Sequence, residues 1–167
     1  MNILIGNIIS LIACILMTVS GFCKTKKNTL IIQTIDIVFA TIANIILSGV
    51  SGAIINCVSI IRNILCYKNK FTLPVKIIIT IITIGLSITF NNKGLIGLLP
   101  LISNISYTFL MDKFNEKKFK LLIIFTLIWW GIYDFIIHDY VAFIFDMATI
   151  VTSIIAIIRQ SSHDTDT

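Results

Sequence analysis

Residues 51–65 read SGAIINCVSIIRNIL, a run greasy enough for lipid that nonetheless carries Asn56, Arg62 and Asn63. At about 100° per residue, Gly52, Asn56, Ser59, Arg62 and Asn63 fall on one face of a helix. A segment apolar on most sides and polar along one stripe is expected to cross a bilayer with that stripe turned away from the lipid.

The rest of the chain supports this reading. Of its 167 residues 57% are hydrophobic and only 13% charged, and the mean hydropathy is +1.00. A soluble domain of this size has too little interior to hide so much isoleucine and leucine. Working outward from residue 51, apolar runs of spanning length occur at 2–22, 29–48, 50–66, 74–91, 94–111, 119–137 and 139–158. The first run has no basic residue before Lys24 and continues for a full span, so it reads as a retained helix rather than a cleaved signal. The expected fold class is an all-α membrane protein with seven transmembrane helices.

Lys and Arg placement orients them, because cytoplasmic loops carry the basic excess. The clusters CKTKKN, RNILCYKNKFTLPVK and DKFNEKKFK, together with Arg159, fall on one side, and only Lys93 falls on the other. The N-terminus is therefore expected outside and the C-terminus in the cytoplasm. The same placement explains the net charge of +5 better than nucleic-acid binding does.

Loop order suggests an internal pattern. A basic loop, a tight outer hairpin and a basic helix end recur in spans 1–3 and again in spans 5–7, with span 4 between them. This predicts a parallel 3+1+3 repeat: 1–66 as the first three-helix unit, 74–91 as a linker helix, 94–159 as the second unit and 160–167 as a polar tail. CVSIIR (57–62) and SIIAIIR (153–159) end alike, placing Arg62 and Arg159 at equivalent helix ends.

Other spans also gather polar or small residues on one face. These are Gly6, Ser10, Ala13, Cys14, Met17 and Gly21 in span 1; Gln33, Asp36, Ala40, Ala43 and Asn44 in span 2; and Gly97, Pro100, Ser103, Asn104 and Tyr107 in span 5. Span 6 groups Thr126, Trp129, Trp130 and Tyr133, and span 7 groups Asp146, Thr149, Thr152, Ser153 and Ala156. Small residues and amides also serve plain helix packing. Asp36 and Asp146 are different, since a carboxylate within a bilayer costs about 2.5–3.5 kcal/mol even on the lenient insertion scale. Each is expected to be paired or to face water, with Arg62 within reach of Asp36. Arg62 and Arg159, one turn from the cytoplasmic interface, are alternatively expected to snorkel. Asp134, His138 and Asp139 are expected to be solvated at the outer interface.

Soluble-enzyme motifs are missing from the sequence: it has no Gly-rich phosphate loop, GxSxG or HExxH. Cys14, Cys23, Cys57 and Cys66 have no metal-site spacing and read as packing residues. No enzyme, cofactor or metal site is expected.

SGAIINCVSIIRNIL, GLLPLISNISYTFLM (97–111) and WWGIYDFIIHDYVAFIFDMATIVTSIIAIIR (129–159) together resemble the YgjV family of bacterial inner-membrane proteins. Asn56 with Arg62, Pro100, the tryptophan pair and the terminal IIR carry the resemblance. It implies residence in the bacterial inner membrane and a distant similarity to PQ-loop and SWEET-like carriers. This chain departs from those carriers in having no PQ dipeptide and no proline in span 1 to match Pro100.

The functional expectation is a small-molecule facilitator or secondary carrier with a polar site between two three-helix halves. Asn44, Asn56, Asn104 and Ser153 would supply hydrogen bonds, Trp129 and Trp130 a stacking surface, and Asp36 or Asp146 a charge. The alternative is a non-transporting scaffold or partner subunit whose polar groups pack helices. The implied partners are the lipid bilayer and a small polar metabolite, with a homo-oligomer left open.

Overall fold

The computed structural model describes residues 2–21, 26–110 and 116–165. Among these lie seven α-helices and no strand: α1 (Asn2–Gly21), α2 (Lys26–Ile46), α3 (Val50–Tyr67), α4 (Leu73–Thr89), α5 (Leu99–Leu110), α6 (Glu116–Ile137) and α7 (Tyr140–Thr165). Each expected span meets its helix within a few residues, except at the end of α7. That helix continues to Thr165, through most of the segment expected as a polar tail. No Gly or Pro follows Arg159 to stop it, and a helix leaving a bilayer keeps its internal hydrogen bonds in water. Of the basic set that suggested the orientation, Lys24 and Lys113 lie outside the described residues, as does Cys23.

Prolines mark two helix starts. Pro74 lies in the first turn of α4, and Pro100 in that of α5, just after a 3-10 turn over Ile96–Leu98. A missing N–H costs nothing there, because the first-turn amides have no partner within the helix.

Two connections are tight and built alike. Ser48 (φ 59°) and His138 (φ 66°) each take the left-handed conformation that ends a helix. The next amide then bonds back, Gly49 N–H to Asn44 O at 2.7 Å and Asp139 N–H to Asp134 O at 2.9 Å. Through 41–50 and 131–140 buried and exposed positions follow nearly the same order.

Helices α1, α2 and α3 pack in series, as do α5, α6 and α7. Helix α1 meets α7, α3 meets α5, and α4 lies against α3 and α5. The surface is inverted relative to a soluble protein. Ile3, Leu4, Ile8 and Ile15 on α1 and Ile77, Ile78, Ile81 and Ile88 on α4 face outward, while Asp36, Asn56, Arg62, Asn104 and Asp134 are buried. A bilayer makes this favourable, since outward isoleucines meet acyl chains and buried polar groups meet one another. At the hairpin end, Leu47, Tyr133 and Ile137 form an apolar plug with Ile96, Leu99 and Trp130 packed against it.

Candidate functional site

The α3 stripe that opened the sequence reading is buried throughout: Gly52, Asn56, Ser59, Arg62 and Asn63 all point inward. Asn104 meets it from α5, its Nδ2 donating to Ser59 Oγ at 2.8 Å, and Thr108 Oγ1 donates to Asn104 Oδ1 at 3.4 Å. The Asn104 amide is thus occupied by protein partners. Asn44 is buried on α2, with Nδ2 donating to Ala40 O and Oδ1 left without a donor. Buried Lys76, Thr83 and Ser87 give α4 an inward polar stripe as well, legible on a helical wheel but not anticipated. A groove of about 220 Å³ between α2 and α3, walled by Leu30, Ile35 and Ile64, is apolar, and none of Asn44, Asn56 and Asn104 lines it.

The tryptophans do not make one stacking surface. Trp130 sits edge-on to Tyr133 (5.9 Å, 86°) beside the apolar plug, whereas Trp129 packs against Phe125 (5.9 Å, 76°). Adjacent helical residues point about 100° apart, which explains the split. On α7, Thr149 and Thr152 are exposed and Ser153 half-buried, so the expected inward stripe there does not hold. Helix α7 packs mainly against α6 and α1, leaving much of its surface to lipid.

The carboxylates depart most from expectation. Asp134 and Asp139 are 5% and 2% exposed, not solvated at an interface. Gly131 lets α7 approach α6: a Cβ there would stand 3.0 Å from the Met147 methyl and 3.8 Å from Asp146 Oδ2. Asp134, one turn further along α6, therefore lies near Asp146, whose Oδ2 is buried without a hydrogen-bond partner. From α1, Cys14 is within electrostatic reach of Asp36, Asp134, Asp139 and Asp146. No three His, Cys, Asp or Glu among the described residues are placed to hold a metal ion together.

Asn7, absent from the sequence reading, connects α1 to the second hairpin. Its Nδ2 donates to His138 O at 2.9 Å, and its Oδ1 accepts from Val141 N–H at 3.1 Å. Asp139 Oδ1 takes Ala142 N–H at 3.1 Å, so two first-turn amides of α7 are capped, one of them by another helix. Asn7 lies three and seven residues before Ser10 and Cys14, and that helical spacing was the available signal.

Arg62 is 8% exposed and neither snorkels nor pairs with Asp36. Its guanidinium lies over the Tyr107 ring, 5.0 Å from the centroid. The side chain of Arg159 lies outside the described residues.

The family model of bacterial inner membrane proteins, Imp-YgjV, matches residues 4–164. The chain belongs to the YgjV family. No curated protein and no solved structure matches it. This YgjV protein is thus a multi-pass protein of the bacterial inner membrane, with a bilayer around its apolar exterior. Asp134, Asp139 and Asp146 lie among α1, α6 and α7 toward the hairpin end, Asp36 is buried midway along α2, and Arg62 lies between α3 and α5 toward the opposite end.

Proposed function

We propose that this YgjV protein is a facilitator or secondary carrier for a small polar molecule, built as two three-helix halves, α1–α3 and α5–α7, joined by α4. The observation that carries the reading is the buried carboxylate group around Cys14, for which no basic partner stands among the described residues. Ionisable groups held this way in a membrane protein generally serve an ion, proton or substrate path rather than adhesion. The two alike hairpins, ninety residues apart, and the α1–α7 and α3–α5 neighbour relations support a repeat in which each half presents its first helix to the other's third. The basic loops support an outer N-terminus and a cytoplasmic C-terminus.

The test is stability of the purified protein in detergent against sugars, nucleosides, vitamins and amino acids, followed by uptake of any hit into proteoliposomes. A ligand at 100 times its dissociation constant adds about 2.7 kcal/mol. Stabilisation and uptake that are both lost in Asp146→Asn would sustain the proposal. A hit that stabilises the protein but never crosses the membrane would remove it.

A packing subunit is the second reading, favoured by the Asn104–Ser59 bond and by the Gly52–Tyr133 bond across the bundle. In that case polar groups act as interhelical glue and no compound is taken up.

A further inference from the structure

We propose that Arg62 is the anchor of an oxyanion-binding site, taking the carboxylate or phosphate of a ligand between α3 and α5. The guanidinium offers five N–H donors. Its Nε is fully buried without a hydrogen-bond partner, and among the described residues its electrostatic neighbours are Tyr107 and Cys66 rather than a carboxylate. The Tyr107 ring closes one side at 5.0 Å. A ring face satisfies charge but not a fork of donors, which matches a planar or tetrahedral oxyanion in bidentate fashion.

Arginine differs here from the buried aspartates. A carboxylate can neutralise itself by taking up a proton, whereas arginine keeps its charge at every biological pH, so its counter-charge has to come from another group. Neighbouring polar groups do not provide one. Asn104 is engaged with Ser59, and Asn63, next to Arg62 on α3, faces the groove toward α2 with a buried Nδ2 that has no acceptor, so it brings no counter-charge either. Lys76, buried on α4, adds positive charge to the same end of the bundle. Arg62 lies five residues before the end of α3, about 7.5 Å along the axis. That depth suits an anionic group entering from the end away from the hairpins, whether from a soluble metabolite or from a phospholipid headgroup. The site goes beyond the carrier reading and does not depend on it, because binding is read without transport.

The experiment compares thermal unfolding of the full chain in neutral detergent with inorganic phosphate or succinate against sodium chloride of equal ionic strength. In parallel, nanodiscs of phosphatidylglycerol are compared with nanodiscs of phosphatidylcholine. The expected result is a rise in Tm of about 5 °C at saturating anion in at least one arm. Arg62→Met should lose that rise while melting no lower than the parent without anion, since it removes an unpaired buried charge. A response to phosphate or succinate identifies a soluble ligand, and one confined to phosphatidylglycerol identifies a headgroup. Should Arg62→Met not fold, Arg62→Lys keeps the charge and loses the fork, with affinity expected to fall at least tenfold. No response in either arm, or a full response in the variant, would overturn the assignment.

Discussion

Tyr133 on α6 accepts a hydrogen bond from the backbone N–H of Gly52 on α3 at 2.8 Å, with Asn44 of α2 pressed against the same glycine. The contact exists because residue 52 has no side chain. A Cβ there would stand 2.6 Å from Asn44 Oδ1 and 2.7 Å from Tyr133 Cε1. Gly52→Ala is therefore expected to destabilise by about 2–3 kcal/mol, as overpacking does, and Tyr133→Phe by about 1–2 kcal/mol through the orphaned amide. Unfolding in mild detergent checks both. A Tyr133→Phe protein as stable as the parent would mean this hydrogen bond contributes nothing.

Capping of α7 divides between its own Asp139 and Asn7 of α1. Asp139→Ala is expected to cost about 1 kcal/mol, the usual loss for an N-cap. Asn7→Ala should cost at least as much, since it frees Val141 N–H and His138 O together. Hydrogen exchange at the start of α7 separates the two, because Asn7→Ala should also loosen α1. Unchanged exchange in α1 would contradict the tie.

The Asp134 and Asp146 carboxylates share a buried region with no counter-ion among the described residues. Asparagine at either position removes repulsion and desolvation while keeping the shape. Both Asp134→Asn and Asp146→Asn should raise Tm at pH 7, with the double variant gaining less than the sum, as coupled sites do. A lowered Tm in both would reveal a cation held between them.

Asn104 and Ser59 join α5 to α3. A double-mutant cycle with Asn104→Ala and Ser59→Ala is expected to give a coupling of about 0.6 kcal/mol, the average for such pairs in a bilayer. Strict additivity would show that the two groups do not interact.

Much of this architecture was legible in the chain. Seven apolar runs became seven helices, and wheel positions placed Asp36, Asn56, Arg62, Ser103 and Asn104 inward because helical period and lipid exclusion are local rules. The wheel failed on α7, where Thr149 and Thr152 face outward, because a polar face says nothing about whether another helix stands opposite it. The expectation for Asp134 and Asp139 failed for a different reason. Lying next to a hairpin suggests water, but Asn7 of α1 is tied to that hairpin, Ser10 bonds Asp139, and both carboxylates are buried.

By itself, the sequence determined helix number, most helix limits, residence in a membrane and most inward faces, all set by hydropathy and periodicity within about twenty residues. Tertiary structure alone decided which inward groups meet. It gave Asn104 to Ser59, drew Asp146 toward Asp134 across Gly131, and left Arg62 against Tyr107 instead of Asp36. Such pairings depend on the order and separation of helices, and those follow from where a small residue such as Gly52 or Gly131 lets two backbones approach.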